Sequence, residues 1–205
     1  MTREKKAYYA DRDLPPQLAR RYYRSFGDAR TILDLGCGTG SFGRYRPRPE
    51  VVVHGVDSDP GAVMAAAEFE QAVCIDLEHA ALPHDDETFD GILAKDIFEH
   101  VHDPGRLAQE VHRVLKPEGV LVASVVMAKP ARVWADYTHV RGFTRRAAEL
   151  LLQDAGFSID AVWKMGPVPG ARRLGLVPIV PHLLRIAPFD RLWASSWELT
   201  ARRIG

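Results

Sequence analysis

The stretch Ile32-Leu33-Asp34-Leu35-Gly36-Cys37-Gly38-Thr39-Gly40-Ser41-Phe42-Gly43 constrains this chain more than any other. An apolar run meets an acid, and glycines then alternate with small residues. Glycine lets the backbone turn tightly at the carboxyl end of a strand and approach a ligand with no Cβ in the way. A second apolar run, Val51–Val56, closes at Asp57, whose two carboxylate oxygens suit the two hydroxyls of a ribose. Two such strand ends predict a site for an adenosine-containing cofactor.

Strand-like and helix-like runs alternate along the rest of the chain. Thr31–Leu35, Val51–Val56, Ala72–Ile75, Phe89–Ala94, Val120–Val126 and Phe157–Trp163 read as strands, and Ser196–Arg203 as a final edge strand. Leu14–Phe26 reads as a leading helix with Pro15 and Pro16 near its start. Asp59-Pro60 opens a helix to about Glu70 and Asp103-Pro104 opens another, each pairing an acidic cap with a first-turn proline. Thr144 caps a helix that Gly156 stops. Ser41–Tyr45 begins a helix that Pro47 and Pro49 cut short. The alternation predicts an α/β fold, a mainly parallel sheet with helices on both faces. Residues 166–191 interrupt it: Pro167, Pro169, Pro178, Pro181 and Pro188 stand among apolar residues and arginines. That segment is too apolar for a free linker and too proline-rich for one long helix. It reads as an insertion between the last two strands, placed to wall a pocket at the sheet edge, with a short helix around His182–Ile186.

At 205 residues the chain is expected to form one domain. Residues 1–28 would be a helical lid, 29–126 a cofactor-binding half and 127–205 a substrate half. Lys and Arg together number 27, as do Asp and Glu, so no chain-wide field draws in nucleic acid or an anionic membrane. The amino terminus leads into no apolar signal region, and no run reaches the ~18–20 apolar residues of a membrane span. The expected compartment is the cytoplasm. Cys37 and Cys74 form neither a disulfide framework nor a zinc pattern, and no pair among the eight histidines has metal-ligand spacing, so no metal is expected.

Two cofactors compete for the glycine segment. Gly38-Thr39-Gly40-Ser41-Phe42-Gly43 is a literal G-x-G-x-x-G with Asp57 at dinucleotide spacing, which points to an NAD-dependent oxidoreductase. The string is displaced, however, because Gly36 already occupies the strand end with Asp34 just before it. Asp-x-Gly-x-Gly-x-Gly over residues 34–40 resembles the signature of class I S-adenosylmethionine-dependent methyltransferases. Leu82-Pro83-His84-Asp85-Asp86-Glu87-Thr88-Phe89-Asp90, Lys95-Asp96-Ile97-Phe98-Glu99-His100-Val101 and Arg113-Val114-Leu115-Lys116-Pro117-Glu118-Gly119 extend the likeness. They resemble the small-molecule subgroup related to ubiquinone and menaquinone methyltransferases, which usually has glycine where this chain has Glu118. The resemblance spans residues 32–126 and weakens beyond them. It implies a Rossmann-like seven-stranded sheet with an antiparallel last strand. It also implies S-adenosyl-L-methionine as cofactor and S-adenosyl-L-homocysteine as product. Asp34, Gly36, Cys37, Gly38 and Gly40 would make the cofactor loop, with Asp57 and Ser58 at the ribose. Asp76 and Leu77 would meet the adenine, and the backbone of Ala94 and Lys95 the methionyl part.

The implied enzyme moves a methyl group to oxygen, nitrogen or an activated carbon of a small molecule. It must align the nucleophile, exclude water and remove a proton where the nucleophile requires it. Candidate acid–base residues are His139, His100 and Tyr137, with Asp96 beside them. Tyr137-Thr138-His139 follows the fifth strand and is expected over the carboxyl edge of the sheet, although either histidine equally suits tying down its own loop. Tyr8, Tyr9, Tyr22 and Tyr23 are lid or core residues. Beyond residue 164 basic residues (Lys164, Arg172, Arg173, Arg185, Arg191, Arg202, Arg203) outnumber Asp190 and Glu198. They make a solvated face, or a landing patch for an apolar or anionic acceptor or a membrane surface. A protein that binds the cofactor without turnover is the remaining alternative.

Overall fold

The computed structural model describes residues 14–65, 69–168, 174, 176, 179–186 and 188–205. Tyr8, Tyr9, Arg172 and Arg173 lie outside them, as do the first half of the expected lid and part of the 166–191 insertion. A seven-stranded sheet runs in the order β3-β2-β1-β4-β5-β7-β6. β1 (Thr31–Leu35), β2 (Val52–Asp57), β3 (Gln71–Cys74), β4 (Phe89–Lys95) and β5 (Leu115–Val126) are parallel. β6 (Phe157–Met165) and β7 (Ser196–Arg203) complete the sheet, and β7 runs antiparallel to both of its neighbours. The sheet is thus Rossmann-like and mostly parallel. One expectation fails: β7 is not an edge strand. It slots between β5 and β6, burying Leu199 and Ala201 in the core, and leaves β6 at the edge.

Strand alternation divides the core in two. Leu33, Leu35, Ile92, Leu121 and Ala123 face one side, while Ile32, Leu93, Val120 and Val122 face the other. α1 (Pro16–Phe26) covers the second side with Ala19, Tyr22, Tyr23 and Phe26, one stripe of helical spacing. An ideal Cβ on Gly91 would lie 2.6 Å from the Phe26 ring, so β4 needs glycine where the helix presses on it. Tyr23 stacks on Phe42 at 4.2 Å and donates to the Phe42 carbonyl at 3.1 Å, which fixes the helix to the glycine segment. Arg21 and Tyr22 donate to Glu198 of β7 at 2.5 and 2.7 Å. Burial nevertheless raises the Glu198 pKa, outweighing those partners. α2 (Pro60–Ala65) opens where expected but does not reach Glu70: Phe69 and Glu70 lie in a bend, and the Glu70 amide already donates to the Val53 carbonyl at 2.9 Å on the way into β3. α3 (Pro104–Val114), capped by Asp103 through the Arg106 amide at 2.9 Å, covers the first side. After one turn, α4 (Pro130–Val133), comes α5 (Arg145–Asp154), which packs Ala148 and Leu152 into the same cluster and is capped by Thr144. Two short helices, α6 (Val180–Leu183) and α7 (Phe189–Trp193), stand in the insertion in place of one helix at His182–Ile186.

β5 begins five residues earlier than the apolar run Val120–Val126 suggests. Leu115 pairs with Phe89 and Val120 with Gly91, so residues 116–119 bulge between two registered pairs. Within the bulge Glu118 sits at φ 61°, a left-handed conformation that costs a side-chain-bearing residue about 1–2 kcal/mol. Its side chain is exposed, so little packing is at stake. Glu118→Gly is expected to stabilise the fold by about 0.5–1 kcal/mol, after the entropic cost of glycine, as read from the midpoint of denaturant unfolding. A lowered midpoint would show that Glu118 is not strained.

On β2 and ahead of β4, His54 and His84 pack around Phe89 with ring centroids 5.4 and 4.9 Å from it. Burial lowers both pKa values below the ordinary 6.5, for His84 with help from His54. The unfolded chain therefore binds protons that the folded chain resists. Stability should be full above about pH 6.5 and drain away as the pH falls from there toward the folded pKa values. Unfolding midpoints at pH 7.5 and 5.5 test this: the gap should narrow in His84→Leu, and an equal gap would assign the acid sensitivity elsewhere.

Candidate functional site

A cleft of about 950 Å³ opens at the carboxyl ends of β1, β2, β3, β4 and β5, where residues of the glycine segment face residues following the other strands. Gly36, Gly38 and Gly40 sit at φ 70°, 53° and 82°. The Gly36 and Cys37 amides both donate to the Val56 carbonyl, at 2.8 and 3.0 Å, which folds the loop back over β2. Asp57 completes the turn: one oxygen accepts from the Gly38 amide and the other from the Asp59 amide, both at 2.9 Å. Residues 43–45 then make a single 3-10 turn before Pro47, with no regular helix aimed at the loop.

Most of the expected cofactor residues converge here. Asp34, Gly36, Cys37, Gly38, Asp57, Ser58, Asp76, Leu77 and Lys95 all line the cleft. Cys37 does so as part of the loop, while its thiol packs toward Gly55, where burial, then Asp34 and Asp57, raise its pKa. Gly40 turns the chain behind the wall, its amide donating to the Cys37 carbonyl at 3.0 Å. The Ala94 side chain is fully buried in the core, and strand alternation gives the wall to Leu93 and Lys95 on either side, so what Ala94 can offer the cleft is the backbone that the expectation assigned to it. Asp76 holds a turn, accepting from the Glu78 amide at 2.9 Å and pairing with His79 at 3.1 Å; the His79 bond first, then the Glu78 amide, lowers its pKa.

The floor is rich in buried acids. Burial, and then Asp57, raises the Asp34 pKa against the pull of Lys95. Burial works against the Lys95 ammonium too, but Asp96, then Glu99 and Glu198, more than offset it and raise its pKa. Lys95 pairs with Asp96, which stands at φ 54° and is held by the Ser124 hydroxyl at 2.6 Å. Such a conformation in a non-glycine residue persists only where its surroundings enforce it. Altogether six acidic residues line the cleft, against Lys95 and Arg132.

On the remaining wall stand His100 and His139, their ring centroids 4.7 Å apart. Nδ1 of His139 lies 2.8 Å from the Val133 carbonyl oxygen, an acceptor only, so Nδ1 carries the proton and Nε2 of the neutral ring is the acceptor. Tyr137 does not join the two histidines. Its side chain is 95% exposed and does not line the cleft. Asp136 causes this, because its carboxylate accepts from both the amide and the hydroxyl of Thr138, turning residue 137 away from the cleft and leaving the exposed Thr138 at its rim.

Glu99 is the functional candidate that the sequence reading passed over. It is 1% exposed, lines the cleft, and takes the Val126 amide on Oε1 at 3.1 Å, while Oε2 has no hydrogen-bond partner among the described residues. Burial, and then Asp96, push its pKa up to about 8. Its position between Phe98 and the apolar Val101 was the available signal, a charged residue inside an otherwise buried turn. From the insertion, Pro167 reaches the cleft.

Residues 33–123 match the family model described as a methyltransferase domain. An uncharacterized methyltransferase of Mycolicibacterium gilvum is 31% identical over 157 residues, which are 71% of this chain and 62% of that protein. A ubiquinone biosynthesis O-methyltransferase of Ruegeria pomeroyi is 32% identical over 124 residues, 56% of this chain and 50% of that protein. The chain thus spans between 27% and 62% of the length of the first curated relatives it matches. Among solved structures, an S-adenosylmethionine-dependent methyltransferase from Archaeoglobus fulgidus superposes with a TM-score of 0.70 at 18% identity, covering 92% of both chains. At that identity the likeness is one of fold.

Proposed function

We propose that this chain, which carries a methyltransferase domain across residues 33–123, binds S-adenosylmethionine in the cleft and directs its methyl group to a hydroxyl of a small molecule. The observation that carries the reading is the acidity of the wall around the glycine loop: with Glu99 pushed up to about 8 and Asp34 raised by burial, Asp57, Asp76, Glu78 and Asp96 still outnumber Lys95 and Arg132. That wall favours a cationic sulfonium nucleoside and opposes a pyrophosphate. A dinucleotide also wants a helix amino terminus behind its glycines, and residues 43–45 supply one short turn instead. The cleft volume of about 950 Å³ stands near the top of the ~300–1,000 Å³ range of ligand sites, room for an acceptor beside a nucleoside.

When bound, the cofactor supplies a methyl group activated by a positive sulfur. The chain holds and aligns. Asp57, which holds the loop through the Gly38 and Asp59 amides, would stand at the ribose hydroxyls, and Leu77 would pack at the base. A neutral imidazole of the His100–His139 pair takes the hydroxyl proton as the new bond to carbon forms. An oxygen acceptor suits these groups, since a hydroxyl or phenol must lose its proton near neutrality, and an O-methyltransferase is among the relatives. No helix of the described residues is long and apolar enough to cross a membrane, and the free thiols Cys37 and Cys74 suit the cytoplasm.

Calorimetry tests the cofactor reading directly. The protein should bind S-adenosylhomocysteine and show no affinity for NADH. Asp57→Ala should weaken S-adenosylhomocysteine binding by about 1–3 kcal/mol, the cost of removing a charged acceptor from its donors. Unchanged affinity would remove Asp57 from the site.

A further inference from the structure

The two imidazoles on the cleft wall differ in what stands behind them. His139 has the neutral Val133 carbonyl at its Nδ1. Nδ1 of His100 lies 3.0 Å from the Thr138 hydroxyl oxygen, which lies 2.6 Å from Oδ1 of Asp136. A threonine hydroxyl has one proton, and an ionised carboxylate can only accept. Thr138 therefore donates to Asp136, its oxygen accepts from His100, and the His100 proton is fixed on Nδ1. Nε2 is then the acceptor nitrogen of the neutral ring.

We infer that Asp136 and Thr138 are positioning residues for His100, forming a carboxylate–hydroxyl–imidazole relay that makes His100 the proton acceptor of the pair. The inference rests on the methyl-transfer reading for its chemistry, though the relay itself does not. In the reaction the acceptor O–H bond breaks and its proton passes to His100 Nε2. The oxygen pair forms the bond to the methyl carbon, and the carbon–sulfur pair returns to sulfur, leaving a neutral thioether. The imidazolium so formed is stabilised through Thr138 by the Asp136 charge, which a backbone carbonyl supplies only as a dipole. The loop that carries Asp136 and Thr138 is pinned by the Val140 amide, which donates to the Glu99 carbonyl at 2.9 Å. His139, Glu99, Asp96 and Lys95 share the cleft with His100, and the variants below leave all four in place.

Nitrogen-15 spectra of the full chain, without cofactor, read the relay at its source. Wild-type His100 should be the Nδ1–H tautomer. Thr138→Val should abolish that preference and lower the His100 pKa, because the hydroxyl oxygen that accepts from the imidazolium and couples it to Asp136 is gone. Thr138→Ser should restore both. Asp136→Asn should lower the pKa by about one unit, the scale of losing a nearby opposite charge, while the proton stays on Nδ1. A wild-type ring protonated on Nε2, or a tautomer and pKa unmoved in Thr138→Val, overturns the relay. S-adenosylhomocysteine calorimetry on the same samples keeps the two readings apart: failure to bind sinks the methyl-transfer reading, whereas an unmoved His100 sinks the relay alone.

Discussion

Gly36→Val is expected to destabilise the protein by about 2–5 kcal/mol, combining about 1–2 for a left-handed backbone with about 1–3 for overpacking. The backbone at this position has φ 70°, and an ideal Cβ would stand 2.1 Å from Cδ1 of Ile97. The strand end is held by the Gly36 amide bond to Val56, whereas the half-buried Ile97 can give way at Cδ1, which puts the overpacking part at the low end of its range. S-adenosylhomocysteine binding should fall with the loop. In Gly36→Ala combined with Ile97→Ala the steric part is relieved and only the backbone strain persists, at the added expense of the Ile97 contacts. An unfolding midpoint untouched in Gly36→Val would mean that the loop does not turn at Gly36.

His100→Ala is expected to lower turnover about 10²–10⁴-fold, the usual contribution of a positioned base. That corresponds to about 2.7–5.4 kcal/mol in the barrier. The assay is single-turnover transfer from labelled S-adenosylmethionine to a phenolic acceptor identified by screening. S-adenosylhomocysteine affinity should hold, since the loss is one of chemistry. In the wild type the rate should rise with pH through an imidazole titration, and that limb should vanish in the variant. His139→Ala should lose less, because its ring has no carboxylate behind it. A larger loss at His139 would transfer the role of base to it.

The parts legible in the sequence are those decided by near neighbours. Asp103-Pro104 and Thr144 cap helices, and the glycines after β1 turn where their positive φ values require them. Strand order is a matter of distant partners. Nothing within Ser196–Arg203 says that it will bond to β5 on one side and β6 on the other. Glu118 hid the early start of β5 in the same way, since its bulge is defined by pairing with β4. At the site, residue type misled over residue direction. Tyr137 has the more reactive-looking side chain, yet the Asp136 turn sends it to solvent and delivers Thr138 to His100. Glu99 was masked by reading its segment as a cofactor motif, when its burial beneath the Val126 amide is set by the end of β5.

The slotting of β7 between β5 and β6 bears on how the chain emerges from the ribosome. Strands β1 to β5 pair with strands already made, so that part of the sheet can assemble as it is synthesised. β6 is made next but has no place beside β5. Val120 waits for Arg202, and Val126 for Ser196. Until those residues arrive, β5 exposes an open hydrogen-bonding edge flanked by apolar side chains, the kind of edge that recruits strands from other chains. A chain that ends before residue 196 should therefore keep that edge open and aggregate more readily than the whole chain.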